Sequence, residues 1–517
     1  MPTKLLGTKG CSWWLGTILV GIVLTPFARG QDAGPLLDKL VQKGVLTEQE
    51  AEEVRGELQQ QYAESSAGKW AVNDFVKSLT LSGIARTRYD YRAGEDVLLP
   101  GDTEERERWR MIVQLAITGE LVNDFFFGFR LDTSFNNRST NVTYGGDAFK
   151  PMLFGPYGND RFGPFTKSPN YSLNIGQVYL AWRMAEAFSL PIDEFTLITG
   201  RQPNPFYSTL LVWDADLNPE SLLTVKIKQN IGDFLVFANF APMVYSAWDP
   251  INQFGTNPAN GQFVGNKQGN GNDTFLLGEQ VGIEWAISRQ NGVYFRVAPA
   301  VYTYTSHTFN FVPDPGTFEN SIFPGNPPGV GPGNPASANG FTNFNPVNNL
   351  VVVDIPMELR WKWQGLPWRL FADYAINADG DERAKLAHQV SVLEKNPFPL
   401  HKDQDDSWLV GLEVGSAARK GDWLARVWWE HEGAYAVDPN LIDTDIFDGR
   451  VNMQGPAAQV VYQFTDAVYL VVTYNYGFRI LKDTPTFGRQ DLGFDNKNYP
   501  NHLDNYQLLM ADLTWRF

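Results

Sequence analysis

The sequence predicts an all-β transmembrane barrel of about 16 antiparallel strands preceded by a short N-terminal helical segment. Three observations predict it. Apolar and polar residues alternate with a period of two from about Lys77 onward; the connections between these segments alternate short and long; and the chain ends on alternating apolar residues that close on Phe517.

Residues 1–30 read as a secretory signal peptide. Lys4 and Lys9 form its charged start, Trp13 to Thr25 its apolar centre, and Ala28 and Gly30 the small residues before cleavage at Gln31. Removing it takes away Lys4, Lys9 and Arg29 and no acid, so the formal charge moves from −16 to −19. The only cysteine, Cys11, leaves with it, which suits export into an oxidising compartment without disulfides. A basic nucleic-acid footprint is missing, so no nucleic-acid partner is expected.

Residues 31–69 form a separate helical segment and linker. A first helix starts at Pro35 and ends at Gly44; Thr47 and Glu50 make a capping box for a second, and Ser65 to Lys69 is the linker. Residues 70–517 make the barrel. Its clearest strand is Val351 to Trp363, where Val351, Val353, Ile355, Met357, Leu359, Trp361 and Trp363 share one face. Asp354, Glu358, Arg360 and Lys362 share the other. In a membrane barrel the first face meets lipid and the second the lumen. On that phase Leu359→Arg is expected to cost stability and Glu358→Arg to fold normally.

The sixteen strands are expected near 77–92, 106–121, 125–136, 171–184, 195–202, 221–229, 233–246, 275–289, 292–307, 349–363, 367–377, 407–418, 421–432, 454–464, 466–479 and 504–517. No stretch of 18 apolar residues lies beyond the N-terminus, whereas 14% of all residues are aromatic, as interfacial girdles require. Short turns such as Val122-Asn123-Asp124 alternate with long loops rich in Gly, Asn, Pro and Asp. That is the pattern of barrels in the bacterial outer membrane, with both termini on the periplasmic side. Leu513, Trp515 and Phe517 are the expected C-terminal signal for the barrel-assembly machinery.

The leader from Leu36 to Ala51 resembles the opening of the putative porin family. The run Gly200-Arg201-Gln202-Pro203-Asn204-Pro205-Phe206, followed by Leu211-Val212-Trp213-Asp214-Ala215-Asp216, is similar to that family's third-loop region. The resemblance implies a passive outer-membrane channel and a homotrimer, and names no solute.

A pore needs fixed charges at its narrow zone. Lumen-facing phase puts Arg86, Arg88, Arg108 and Arg110 on one wall, joined by Arg130, Arg183 and Arg201, while Asp214, Asp216 and Glu220 sit on a third loop that folds inward in general porins. The blander expectation is that these arginines pair with local acids such as Glu104, Glu105 and Glu107. Catalytic motifs are missing. His431-Glu432 begins a metalloprotease-like string, but position 435 is Tyr, and the five histidines have no metal spacing. The expectation is therefore a porin for passive diffusion of small hydrophilic solutes or ions, with no cofactor, no metal and no chemical step. The alternative is a structural or adhesive barrel whose loops bind outside partners.

Overall fold

The period-two alternation becomes strands in the computed structural model, which describes residues 75–96, 101, 103–133, 141–143, 173–246, 254–256, 263–265, 274–304, 350–393, 398–439, 441–484, 486 and 503–517. The signal peptide expected over 1–30 and the helical segment and linker expected over 31–69 lie outside the described residues.

The staves, in chain order, are β1 (Val76–Asp96), β2 (Thr103–Leu121), β3 (Phe125–Thr133), β4 (Leu173–Arg183), β5 (Glu194–Arg201), β6 (Glu220–Ile231), β7 (Phe234–Ser246) and β8 (Thr274–Ser288). Two interrupted staves follow, β9 (Val293–Val297 and Ala300–Tyr304) and β10 (Val351–Asp354 and Met357–Trp363). The last six are β11 (Leu366–Asn377), β12 (Asp406–Ser416), β13 (Trp423–Glu432), β14 (Met453–Gln463), β15 (Val468–Arg479) and β16 (Leu503–Arg516). The sheet has nineteen strand segments; two staves are each split in two and Val142–Thr143 only adds a short pairing to β2, which leaves sixteen staves. All sixteen expected strands fall on them, within four residues at each end.

Each stave runs antiparallel to the next, and β16 returns to β1, Arg516 opposite Ile84 and Leu508 opposite Arg92. The sheet therefore closes and leaves no open edge. At the seam the Phe517 N–H donates to the Gly83 carbonyl (3.0 Å) and the Gly83 N–H to the Phe517 carbonyl (2.9 Å).

Short turns join several hairpins. Asn123 and Asp124 of the three-residue turn Val122-Asn123-Asp124 (φ 59° and 62°), and Gln364 and Gly365 of a two-residue turn (φ 50° and 80°), take left-handed conformations that match strand twist. Exposed residues such as Leu115, Ile117, Val281, Ile283, Leu370, Leu412, Val460 and Leu513 all point outward. Beside the short turns, aromatic pairs circle the outside: Phe125–Trp182, Phe234–Trp285, Trp361–Trp368, Tyr462–Phe464 and Trp515–Phe517. An apolar band edged by rings is the surface a barrel offers to lipid and its interface.

The described parts of the long connections start from the opposite strand ends. The third (residues 202–219) and seventh (residues 433–452) are described in most detail. The sixth contains a helix, α2 (Gly380–Leu393), where the sequence reading placed only a loop; a four-residue helix, α1 (Met184–Ala187), follows β4. The signal for α2 was present, because no Gly or Pro occurs from Asp381 to Asn396 and Asp381 and Glu382 favour the helix start.

Candidate functional site

The interior begins with the even-numbered residues of β1, β2 and β16. Arg88 donates to Asp512 through Nε (2.7 Å) and Nη2 (2.8 Å), and to Asp445 through Nη1 (2.9 Å). Asp90, with no exposed surface, lies against Arg92 (2.9 Å), Arg108 (2.9 Å) and Arg110 (3.4 Å). Arg92 also reaches Asp448 (2.8 Å) and the Tyr506 hydroxyl (3.1 Å). Arg86 donates to Asn141 (3.0 Å) and stands 3.6 Å from Asp512. Arg86, Arg88, Arg108 and Arg110 thus share one wall, and Asp90, Asp512, Asp445 and Asp448 are anions held against it.

The third loop crosses the interior. It leaves β5 at Gly200, whose φ of +109° marks the register shift opposite β6; a side chain there would strike the Val178 carbonyl. The Tyr207 N–H then donates to Gln280 of β8 (2.9 Å), and the Gln280 amide donates back to the Tyr207 carbonyl (2.7 Å). Thr209 donates to Asp373 of β11 (2.5 Å), and Phe206 meets Tyr302 of β9 edge-on. Further along, the Asp214 N–H donates to the Leu441 carbonyl (2.6 Å), which ties the third loop to the seventh.

The two loops bring acids together. Asp214 is buried, and burial, with Asp443 and Asp216 nearby, pushes its carboxyl well above the usual range. Asp443 is pushed up to about 7 by burial and then by Asp445. Burial would raise Asp445 too, but Arg88 and Arg92 outweigh it and hold that carboxyl below its ordinary value. Asp216 stands within electrostatic reach of Arg86 and Asp443. The seventh loop, which sequence reasoning passed over, supplies Asp445 and Asp448, two of the four acids held against the arginine wall. Its signal was an inward pattern in a nominal loop: Ile442, Ile446 and Phe447 interleaved with Asp443, Asp445 and Asp448.

Apolar residues of both loops fill the space behind those acids. Phe206, Leu211, Val212 and Trp213 of the third loop and Tyr435, Val437, Ile446 and Phe447 of the seventh form one buried cluster with Met243, Leu276, Tyr302, Phe371, Leu409, Trp428, Leu508 and Met510 of the wall. Helix α2 adds Ala384 and Ala387. Beneath it Asp438 accepts the hydroxyls of Tyr245 and Tyr304 (2.7 Å each), while burial lowers Arg383 to about 10 against the pull of Asp438.

A second ionic hub lies on β9 to β11. Glu358, 1% exposed, meets Arg369 (2.6 Å), Arg360 (3.0 Å) and Arg296 (3.3 Å). This revises the expectation for Glu358→Arg: a fourth guanidinium would replace the anion that three others share. Asp354, Asp373, Glu430 and Glu432 are buried further along this side. Among the described residues no three His, Cys, Asp or Glu side chains are placed to hold a metal ion. His431 faces outward and stacks on Trp408.

The remaining sequence-predicted residues lie elsewhere. Arg130 is paired with Asp132 on its own strand (2.7 Å). Arg201 joins Glu220 (2.8 Å) and the Gly176 carbonyl (2.9 Å) at the base of the third loop. Arg183 pairs with Glu120 (3.1 Å) and lies over the Phe126 ring. Beside Arg183 is a cavity of about 450 Å³ against β3 to β6, running from α1 to Pro203-Asn204-Pro205. Thr196, Gln202 and Lys226 line it, with Glu186, Asp193 and Glu194 at the short-turn end.

The family described as Putative porin matches residues 95–310, which bears out the resemblance over that stretch. Among solved structures, the chain is similar to the high-pH structure of Pseudomonas putida OprB (12% identity, 85% of this chain and 94% of that one, TM-score 0.40). It is also similar to Salmonella typhi OmpF in complex with daunomycin (10%, 86% and 99%, TM-score 0.40) and to the anion-selective porin from Comamonas acidovorans (10%, 85% and 99%, TM-score 0.39). No curated protein matches.

Proposed function

We propose that this chain is a porin of the bacterial outer membrane that lets small hydrophilic solutes or ions diffuse passively, without cofactor or chemical step. The observation that carries the reading is the closed sixteen-stave barrel, apolar outside and densely charged inside. Such a barrel is wide enough for water if loops leave room, and the cavity against β3 to β6 is such room. In this reading Leu513, Trp515 and Phe517 on the outer face are what the barrel-assembly machinery reads, and the mature protein is a homotrimer. The test is single-channel recording in planar bilayers. Discrete, ohmic steps support the reading, and a folded barrel that inserts without conducting refutes it.

A second reading has its own support. The apolar cluster of the third and seventh loops closes much of the interior, as a structural or adhesive barrel would tolerate. The same recordings decide between the two.

A further inference from the structure

We infer that the solute path lies off the predicted arginine wall and follows the β3–β6 side of the lumen, with Lys226 as its selectivity-determining residue. The inference rests on the porin reading and adds a route and a residue to it.

The first argument is exclusion. Close-packed apolar side chains leave no room for a water column, and the cluster under the third and seventh loops packs against staves β7 to β16. A hydrated ion passing there would have to displace Phe206, Trp213 or Phe447, all buried. On β3 to β6 the interior is instead a cavity of about 450 Å³, ending on the Pro203-Asn204-Pro205 segment where the third loop departs.

The second argument concerns what charge is available to a passing ion. Arg88 lies against two carboxylates, Arg92 against three, and three guanidiniums share Asp90. A solute feels such groups as near-neutral assemblies. Lys226 of β6 lines the cavity and has no hydrogen-bond or ion-pair partner among the described residues. It lies opposite Thr196 and Asn239 in register, one step inside the mouth acids Asp193 and Glu194. Nearby, the Gln202 amide donates to Thr224, and its buried carbonyl oxygen has no partner among the described residues, which leaves an acceptor for water or a solute hydroxyl. A free ammonium beyond an acidic mouth gives a path that admits ions of either sign and favours small anions at its inner step.

The experiment is cysteine accessibility combined with reversal potentials on the full chain. The native cysteine is Cys11, so the variants carry Cys11→Ser as well and introduced thiols report alone. Thr196→Cys and Lys226→Cys channels are exposed to a bulky methanethiosulfonate reagent after insertion. Conductance should fall by more than half in each. Lys226→Gln should keep its conductance but shift the reversal potential toward cations at 0.1 M salt, where the Debye length is about 10 Å, and much less at 1 M, where it is about 3 Å. Unchanged conductance after labelling, in channels that conduct normally, overturns the route. Block without any shift in Lys226→Gln overturns the role of Lys226. Wild-type barrels that never conduct refute the porin reading instead.

Discussion

On β1 and β2 the interior guanidiniums lie against carboxylates and beneath two inward loops, whereas on β5 and β6 the interior faces a cavity and Lys226 meets no anion among the described residues. Both regions have lumen-facing cations at the same strand phase. They differ in what the loops bring to them. The seventh loop delivers Asp445 and Asp448 to the first region, and burial then makes each pair structural, since a charge in low dielectric is tolerated only with its partner. The third loop leaves from the edge of the second region and crosses away from it. Lumen-facing phase therefore finds interior charges but cannot tell a filter from a fastening; that distinction is made by loops.

The largest expected effect is the loss of a fastening. Asp90→Ala leaves Arg92, Arg108 and Arg110 buried around an empty place, which should cost about 3–5 kcal/mol. Lys226→Ala removes a partnerless side chain and should stay within about 0.5 kcal/mol. Urea unfolding in lipid vesicles, followed by tryptophan fluorescence, measures both. Similar midpoints for the two variants would break the comparison.

Next come Leu359→Arg and Glu358→Arg on β10. Leu359 is paired with Phe295 and Leu370 on the outward face, so an arginine there meets hydrocarbon at about 2–4 kcal/mol near the midplane. Glu358→Arg should be at least as damaging, because Arg296, Arg360 and Arg369 lose their shared anion. A Glu358→Arg barrel that matches wild type in the same unfolding assay would mean that the hub contributes little.

These two neighbours show how far the sequence could be read. Alternation alone placed Leu359 outside and Glu358 inside, because a period of two is imposed by strand geometry and needs no partner. All sixteen staves were legible for that reason. Partners were not legible. Arg88 and Asp512 lie 424 residues apart in the chain yet meet across the seam, and nothing local records that. The seventh loop was read as a surface connection because it joins two alternating segments and carries Asp, Asn, Gly and Pro; its Ile446 and Phe447 were the contrary sign.

A smaller effect probes the junction that closes the arginine side. Asp443 keeps its proton up to about 7 because burial and then Asp445 oppose its ionisation. Its folded value is raised, so its contribution is full below the unfolded value of 3.8 and is lost as pH rises to about 7. Asp443→Asn keeps the oxygen that accepts the Asp445 N–H but removes the titration. The variant should match wild type near pH 4 and gain on it as pH rises, with no further gain above about 7. An advantage that is constant with pH would show that Asp443 ionises freely and that the junction is looser than its geometry.

The smallest effect belongs to the ion pair nearest the open side. Arg201 and Glu220 meet at 2.8 Å, but their side chains are 30% and 57% exposed. Water already solvates both, so Glu220→Gln should cost under about 1 kcal/mol, and the loss should vanish in high salt. Arg201 also keeps its bond to the Gly176 carbonyl (2.9 Å), so its guanidinium stays in place when Glu220 is neutralised. The variant then separates position from charge. If the base of the third loop borders the conducting path, removing this one negative charge moves the reversal potential slightly toward anions with no change in unfolding midpoint. A large drop in stability would instead make Arg201–Glu220 a fastening like Asp90, and the line between the two regions would have to be redrawn on the far side of β5.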